Sequence, residues 1–125
     1  MSLRTPLGKV LGHGSAGDGV SHWWQQRVTA IALIPLTLWF VIGLLRRSAG
    51  KFEVMQDWLS QPWTALLALL LVVTLAWHSK LGVQVVIEDY VHAKGAKTTM
   101  LLLSTFIHFA AAVAGIFAIL RLALS

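Results

Sequence analysis

The sequence predicts an all-α membrane protein with three transmembrane helices, and three observations carry that prediction. Hydrophobic residues make up 57% of the 125-residue chain and the mean hydropathy is +0.73, more apolar side chain than one small soluble core encloses. Three apolar runs, at about residues 28–45, 64–87 and 99–120, approach the roughly 20 residues that cross a hydrocarbon core at about 1.5 Å each. The pieces around them, residues 1–27, 46–63, 88–98 and 121–125, are too short to build a core of their own. The chain therefore divides into an N-terminal arm with an interfacial lead-in, 1–27, and a three-span membrane anchor, 28–125.

Composition narrows the chemistry. Ten Lys and Arg against five Asp and Glu give +5, which in a soluble chain would suggest nucleic acid. Here the charges flank the spans, so the expected environment is the lipid bilayer and no nucleic-acid partner is expected. Without cysteine there is no disulfide, no thiolate nucleophile and no Cys-ligated iron–sulfur cluster. Any redox work falls to the histidines. The first apolar run begins late, behind a glycine-rich arm with no small-residue cleavage pattern, so the first span is expected to remain in the mature protein.

Taken in order, the arm holds Gly8, Gly12, Gly14, Gly17 and Gly19 with Pro6, and little regular structure is predicted for it. Residues 21–27 follow, with Trp23, Trp24 and Arg27 at the bilayer edge. They form either an aromatic belt with a snorkelling arginine, or a setting in which Arg27 faces an anionic cofactor group. Span one carries Pro35, which should kink it, and ends on the basic stretch 46–51. Phe52, Met55, Trp58 and Leu59 then recur at three- and four-residue steps. This pattern predicts a short helix lying on the membrane, with Trp58 and Trp63 as anchors. Span three brings Ser104, Thr105 and His108, and small residues including Ala114 and Gly115 for close helix packing. Charge leaves orientation open: Arg4, Lys9, Arg27, Lys94 and Lys97 on one side nearly balance Arg46, Arg47, Lys51 and Arg121 on the other.

Span two organises the rest. Its second half places His78 and Lys80 at membrane depth, where ionisable groups are costly and functional by default. At about 100° per residue, His78, Gly82, Val85 and Asp89 share one stripe. A glycine one turn from an imidazole leaves room for a flat ligand such as a porphyrin. Lys80, Gln84 and Glu88 fall on a second stripe, where snorkelling or mutual pairing accounts for the lysine. Of His13, His22, His78, His92 and His108, only His78 and His108 lie within spans. Each sits nine residues from the same surface, roughly 13–14 Å deep. The two could bracket one haem, or His108 could simply bond between helices while another subunit supplies the second ligand. At the exit of the span, the Tyr90 phenol beside the Asp89 carboxylate offers a hydrogen-bond donor and a proton source, as quinone reduction needs.

The pattern His78-x3-Gly82-x6-Asp89-Tyr90-Val91, with Gly19-Val20-x6-Arg27-x-Thr29-Ala30-Ile31 before span one, resembles the hydrophobic membrane anchors of bacterial succinate dehydrogenase, complex II. The resemblance covers all three spans. It implies pairing with a second, cytochrome b-type three-helix anchor, one haem b shared between the two, and docking of the flavoprotein and iron–sulfur subunits. It also implies that His78 is an axial ligand of the haem iron, that Arg27 lies near the quinone or a haem propionate, and that Tyr90 and Asp89 lie at the ubiquinone site. The implied location is the bacterial inner membrane with the N-terminus cytoplasmic. On this reading the chain alone catalyses nothing; it serves an enzyme of the tricarboxylic acid cycle and electron transport. The alternatives are a fumarate reductase anchor, which differs in direction, and a haem-free scaffold or assembly protein in which His78 only bonds between helices.

Overall fold

The computed structural model describes residues 3, 5–11 and 16–125. All its regular structure is helical: α1 (Pro6–Leu11), α2 (Ala16–Arg47), α3 (Phe52–Ser60), α4 (Pro62–Tyr90) and α5 (Lys94–Ala123). Three stretches are long and apolar enough to cross a membrane, Gly19–Arg47, Pro62–Tyr90 and Lys94–Ala123. At about 1.5 Å per residue they run some 44 Å, through hydrocarbon and headgroup layers alike. They outreach the apolar runs because a helix once nucleated extends cheaply into flanking polar sequence.

The N-terminal arm is more regular than its glycines suggest. Pro6 opens α1, a position where proline's missing N–H is not needed, and α2 already begins at Ala16. Gly12, Gly14, Arg4 and His13 lie outside the described residues. Helix α2 runs through Pro35 without a break and ends with Arg46 and Arg47 in its last turn, where cations suit the macrodipole. Gln61 alone separates α3 from α4, extended at φ −67° and ψ 129°, and Pro62 opens the next helix.

Helix α4 is the central rod: it packs against α2 on one side and α5 on the other, while α2 and α5 do not approach each other among the described residues. Helix α3 folds back over the end formed by the C-terminal part of α2 and the N-terminal part of α4. There Trp58, Leu59 and Ala68 form the core, ringed by Trp39, Phe40, Leu44, Met55, Ile119 and Leu122. Trp58 is therefore not a membrane anchor as its amphipathic spacing predicts. It is 6% exposed, stacked on Phe40 at 5.9 Å between ring centroids and covered by the Arg47 guanidinium at 4.5 Å. Trp63 remains exposed. The reason is Gly43, whose bare backbone makes the notch that the Trp58 ring fills; a Cβ there would overlap the indole. Gly43→Ala is expected to destabilise the fold by about 1–3 kcal/mol, the usual cost of overpacking. Gly95→Ala, where a Cβ meets nothing within 4 Å, is the control, and thermal midpoints of the two purified variants compare them.

This core lies at one end only. Within the most apolar windows of the three spans, 11%, 17% and 6% of residues are buried, so most of the apolar surface is left for lipid or partner helices. The other end, with the N-terminal half of α2 and the C-terminal half of α4, is joined by polar contacts, and the candidate site lies there.

Candidate functional site

Two interhelical hydrogen bonds set the register of α2 against α4. Trp77 Nε1 donates to Gln25 Oε1 at 3.1 Å, and the Thr29 hydroxyl meets His78 Nδ1 at 2.9 Å. The threonine has one proton, and the Gln25 backbone carbonyl accepts it at 2.6 Å. With that proton on the Gln25 backbone carbonyl, the shortest of the hydroxyl's contacts, the hydroxyl accepts from His78, whose Nδ1 then carries the proton and whose Nε2 keeps the lone pair. That is the tautomer a metal ligand needs, held by an outer partner in the way ligating histidines usually are.

Beside this pair the chain is incomplete. A Cβ built at Gly82 would meet only Gln26 Nε2, at 3.9 Å, so the glycine serves no close contact within the chain itself. On the facing side of α2, His22 Nε2 and Gln26 Oε1 are buried without a hydrogen-bond partner, a situation that costs about 1–3 kcal/mol per group unless something completes it. His22, Gln26 and Thr29 follow helical spacing and share the face of α2 that meets α4. None of the three stands out in the sequence as a site residue. Their regular polar spacing opposite an apolar helix is the mark that could have singled them out.

His108 is arranged differently. Its Nδ1 donates to the Ser104 carbonyl at 2.7 Å, and its Nε2 accepts from the Ser79 hydroxyl at 3.0 Å. Both ring nitrogens are engaged, Nδ1 within α5 and Nε2 in the bond that ties α5 to α4. Arg27, two residues from Thr29, points about 200° round α2 from it; it is exposed, with its guanidinium 5.2 Å from the Trp23 ring centroid. Asp89 and Tyr90 are exposed at the end of α4, about 17 Å along the axis from His78. The fold thus brings His78 together with Thr29, Gln25 and Gln26. It leaves Arg27, Asp89 and Tyr90 on surfaces of the chain.

The second stripe also departs from the expected pairing. Gln84 Nε2 donates to Glu88 Oε1 at 2.8 Å, but the Lys80 ammonium lies over the Trp77 ring, 4.9 Å from its centroid. Among the described residues no three His, Asp or Glu side chains gather around a common point. Among the described residues, the imidazole beside Gly82 whose Nδ1 is already held and whose Nε2 has no hydrogen-bond partner is that of His78.

The chain is similar in sequence to known membrane subunits along most of its length. The family described as Succinate dehydrogenase/Fumarate reductase transmembrane subunit matches residues 1–117. The succinate dehydrogenase hydrophobic membrane anchor subunit of Paracoccus denitrificans is 30% identical over 124 residues, covering 99% of this chain and 95% of that protein. The subunit so named in Rickettsia bellii (strain RML369-C) is 33% identical over 100 residues, 80% of each chain. The succinate dehydrogenase membrane anchor subunit of Reclinomonas americana is 35% identical over 85 residues, 65% of this chain and 68% of that one. With three membrane-crossing helices and a family match along nearly its whole length, this chain belongs to the succinate dehydrogenase/fumarate reductase transmembrane subunits, among the succinate dehydrogenase hydrophobic membrane anchors.

Proposed function

We propose that the chain is a membrane anchor of succinate:ubiquinone oxidoreductase that holds one side of a b-type haem, contributes Tyr90 and Asp89 to the ubiquinone-reduction site, and docks the iron–sulfur and flavoprotein subunits. The observation that carries this reading is His78: its Nδ1 is occupied by Thr29 at 2.9 Å, and its Nε2 is left as the free donor atom. The residues present fit a haem. Gly82 leaves space one turn away, and His22 Nε2 and Gln26 Oε1 bring unpartnered polar atoms to the same seam, where an acid group of the ring can accept from the imidazole and a donor of the partner subunit can complete the amide oxygen. Arg27, one residue beyond Gln26, is a cation at that level on the exposed face of α2, where a group held together with the partner subunit could meet it.

The haem, when bound, supplies one-electron storage in an apolar membrane. This chain's residues orient and protonate. Thr29 fixes the rotation and tautomer of the His78 ring, and the apolar spans exclude water around it. At the α4 end, Tyr90 donates a hydrogen bond to a quinone carbonyl oxygen, and Asp89 stands beside it as the proton source. His108, with both nitrogens engaged, is a packing residue on this reading, and a second three-helix anchor would supply the other ligand. The sparse burial of the spans supports a partner of that size. The chain lies in the bacterial inner membrane with its N-terminus and Tyr90 on the cytoplasmic side.

Affinity purification of the tagged chain from native membranes tests the proposal. A flavoprotein, an iron–sulfur protein and a second small membrane subunit are expected to co-purify, with the absorption bands of a reduced b haem. A chain that purifies with no haem and no such partners would be a scaffold or assembly protein instead.

A further inference from the structure

Lys80 has no part in the site just described. Two residues from His78, it points about 200° round α4 from it, away from α2. We propose that Lys80 heads a binding site for a single anionic phospholipid on the α4–α5 face.

Two adjoining cavities define the site. One is a groove of about 380 Å³ between α4 and α5, walled by Val73, Ala76, Phe109, Ala112 and Val113 and apolar along most of its length, with Lys80, Thr105 and His108 toward one end. The other, of about 210 Å³, shares Lys80 and Thr105 and is lined further by Gln84, Leu101 and Ser104. Their order along the helices matters. Gln84 and Leu101 lie toward the Val91–Ala93 connection and hence the membrane surface, whereas Val73 and Val113 lie toward the bilayer centre. The polar cavity is therefore the outer one and the apolar groove the inner one, the orientation of a lipid with its headgroup outward and its chain running inward.

Charge selects the class of lipid. No carboxylate lines either cavity, and Glu88 sits one turn further out, bonded to Gln84. Among the described residues the partner of the Lys80 ammonium is the face of Trp77 at 4.9 Å, which offers attraction but accepts none of its three N–H donors in full. A cation at this depth is costly without an acceptor of opposite charge. A phosphodiester with net negative charge supplies both, with Ser104, Thr105 and Gln84 as further polar contacts and the acyl chain laid along Ala112 and Val113. Lys80 then turns from Trp77 toward the phosphate.

The test uses the chain in the membrane assembly with which it purifies, stripped of lipid by detergent exchange. Phosphatidylglycerol or phosphatidylcholine bearing the same acyl chains is added back, and bound lipid is counted by native mass spectrometry. One retained phosphatidylglycerol, and weaker retention of phosphatidylcholine, is expected. Lys80→Gln should weaken phosphatidylglycerol binding by about fivefold to tenfold, the worth of one cation facing an anionic lipid. Lys80→Arg should keep it, because the site asks for a long cationic chain and not a fixed geometry. Ala112→Phe, which fills the groove and leaves the charge in place, should weaken it as well. Circular dichroism and thermal midpoints check that each variant is folded. Equal retention of the two lipids, or unchanged retention in a folded Lys80→Gln variant, would overturn the proposal. So would a photocrosslinker at position 112 that captures a polypeptide, since a partner helix would then occupy the groove.

Discussion

His78→Ala is expected to abolish or grossly perturb the b-haem absorption of the purified assembly, whereas His108→Ala leaves it largely intact. Both histidines lie at similar depth in apolar helices, so depth does not separate them; their hydrogen bonds do. His108 already gives Nδ1 to the Ser104 carbonyl and Nε2 to the Ser79 hydroxyl. To ligate iron it would have to abandon an interhelical bond, at a net cost of about 0.5–1.5 kcal/mol. His78 gives up nothing, since Thr29 holds the nitrogen that a ligand does not use. Thr29→Val grades the same argument. It keeps the shape of the side chain and removes the hydroxyl, and with it the partner of His78 Nδ1, so haem should still bind, but with affinity lowered about 10–100-fold, the usual effect of losing an outer partner of a ligating histidine. Thr29→Ser should restore it. Redox-difference spectra of the four variants measure all of this, and loss of haem from the His108 protein but not the His78 protein would reverse the assignment.

The spans are legible in the sequence because apolar runs of this length have few other uses, and the His78–Gly82–Asp89 stripe because helical spacing follows from numbering alone. Two other features depend on which helix meets which. Trp58 shows the period of an amphipathic helix, but whether its apolar side meets lipid or protein is decided by the notch at Gly43 on a different helix. Likewise Thr29 becomes the partner of His78 only through the register of α2 against α4, which the Gln25–Trp77 bond helps to hold. Arg27, Asp89 and Tyr90 pose the opposite problem. They can be picked out from sequence, and the fold leaves them exposed; on the proposed reading, other subunits would complete their surroundings.

That exposure makes Tyr90 a clean position for substitution, and Tyr90→Phe is expected to impair quinone reduction far more than assembly or haem content. Tyr90 is 79% exposed as the last residue of α4, so the phenol supports no contact on which the fold of the chain depends. The phenylalanine ring would occupy the same place at the membrane edge, and only the O–H donor disappears. If that donor binds a quinone carbonyl in the completed site, its loss leaves a buried acceptor unpaired and costs on the order of 1–3 kcal/mol, or about one to two powers of ten in the affected step. Asp89→Asn should act in the same direction by removing the proton source, while keeping a polar group of the same size at the helix end. The measurement is succinate oxidation on the same membranes with two acceptors, a quinone and an artificial dye that takes electrons upstream of it. The dye rate should hold while the quinone rate falls. If both rates fall in equal proportion, the assembly itself has been damaged, and if neither falls, Tyr90 is an aromatic belt residue and the quinone binds against other side chains.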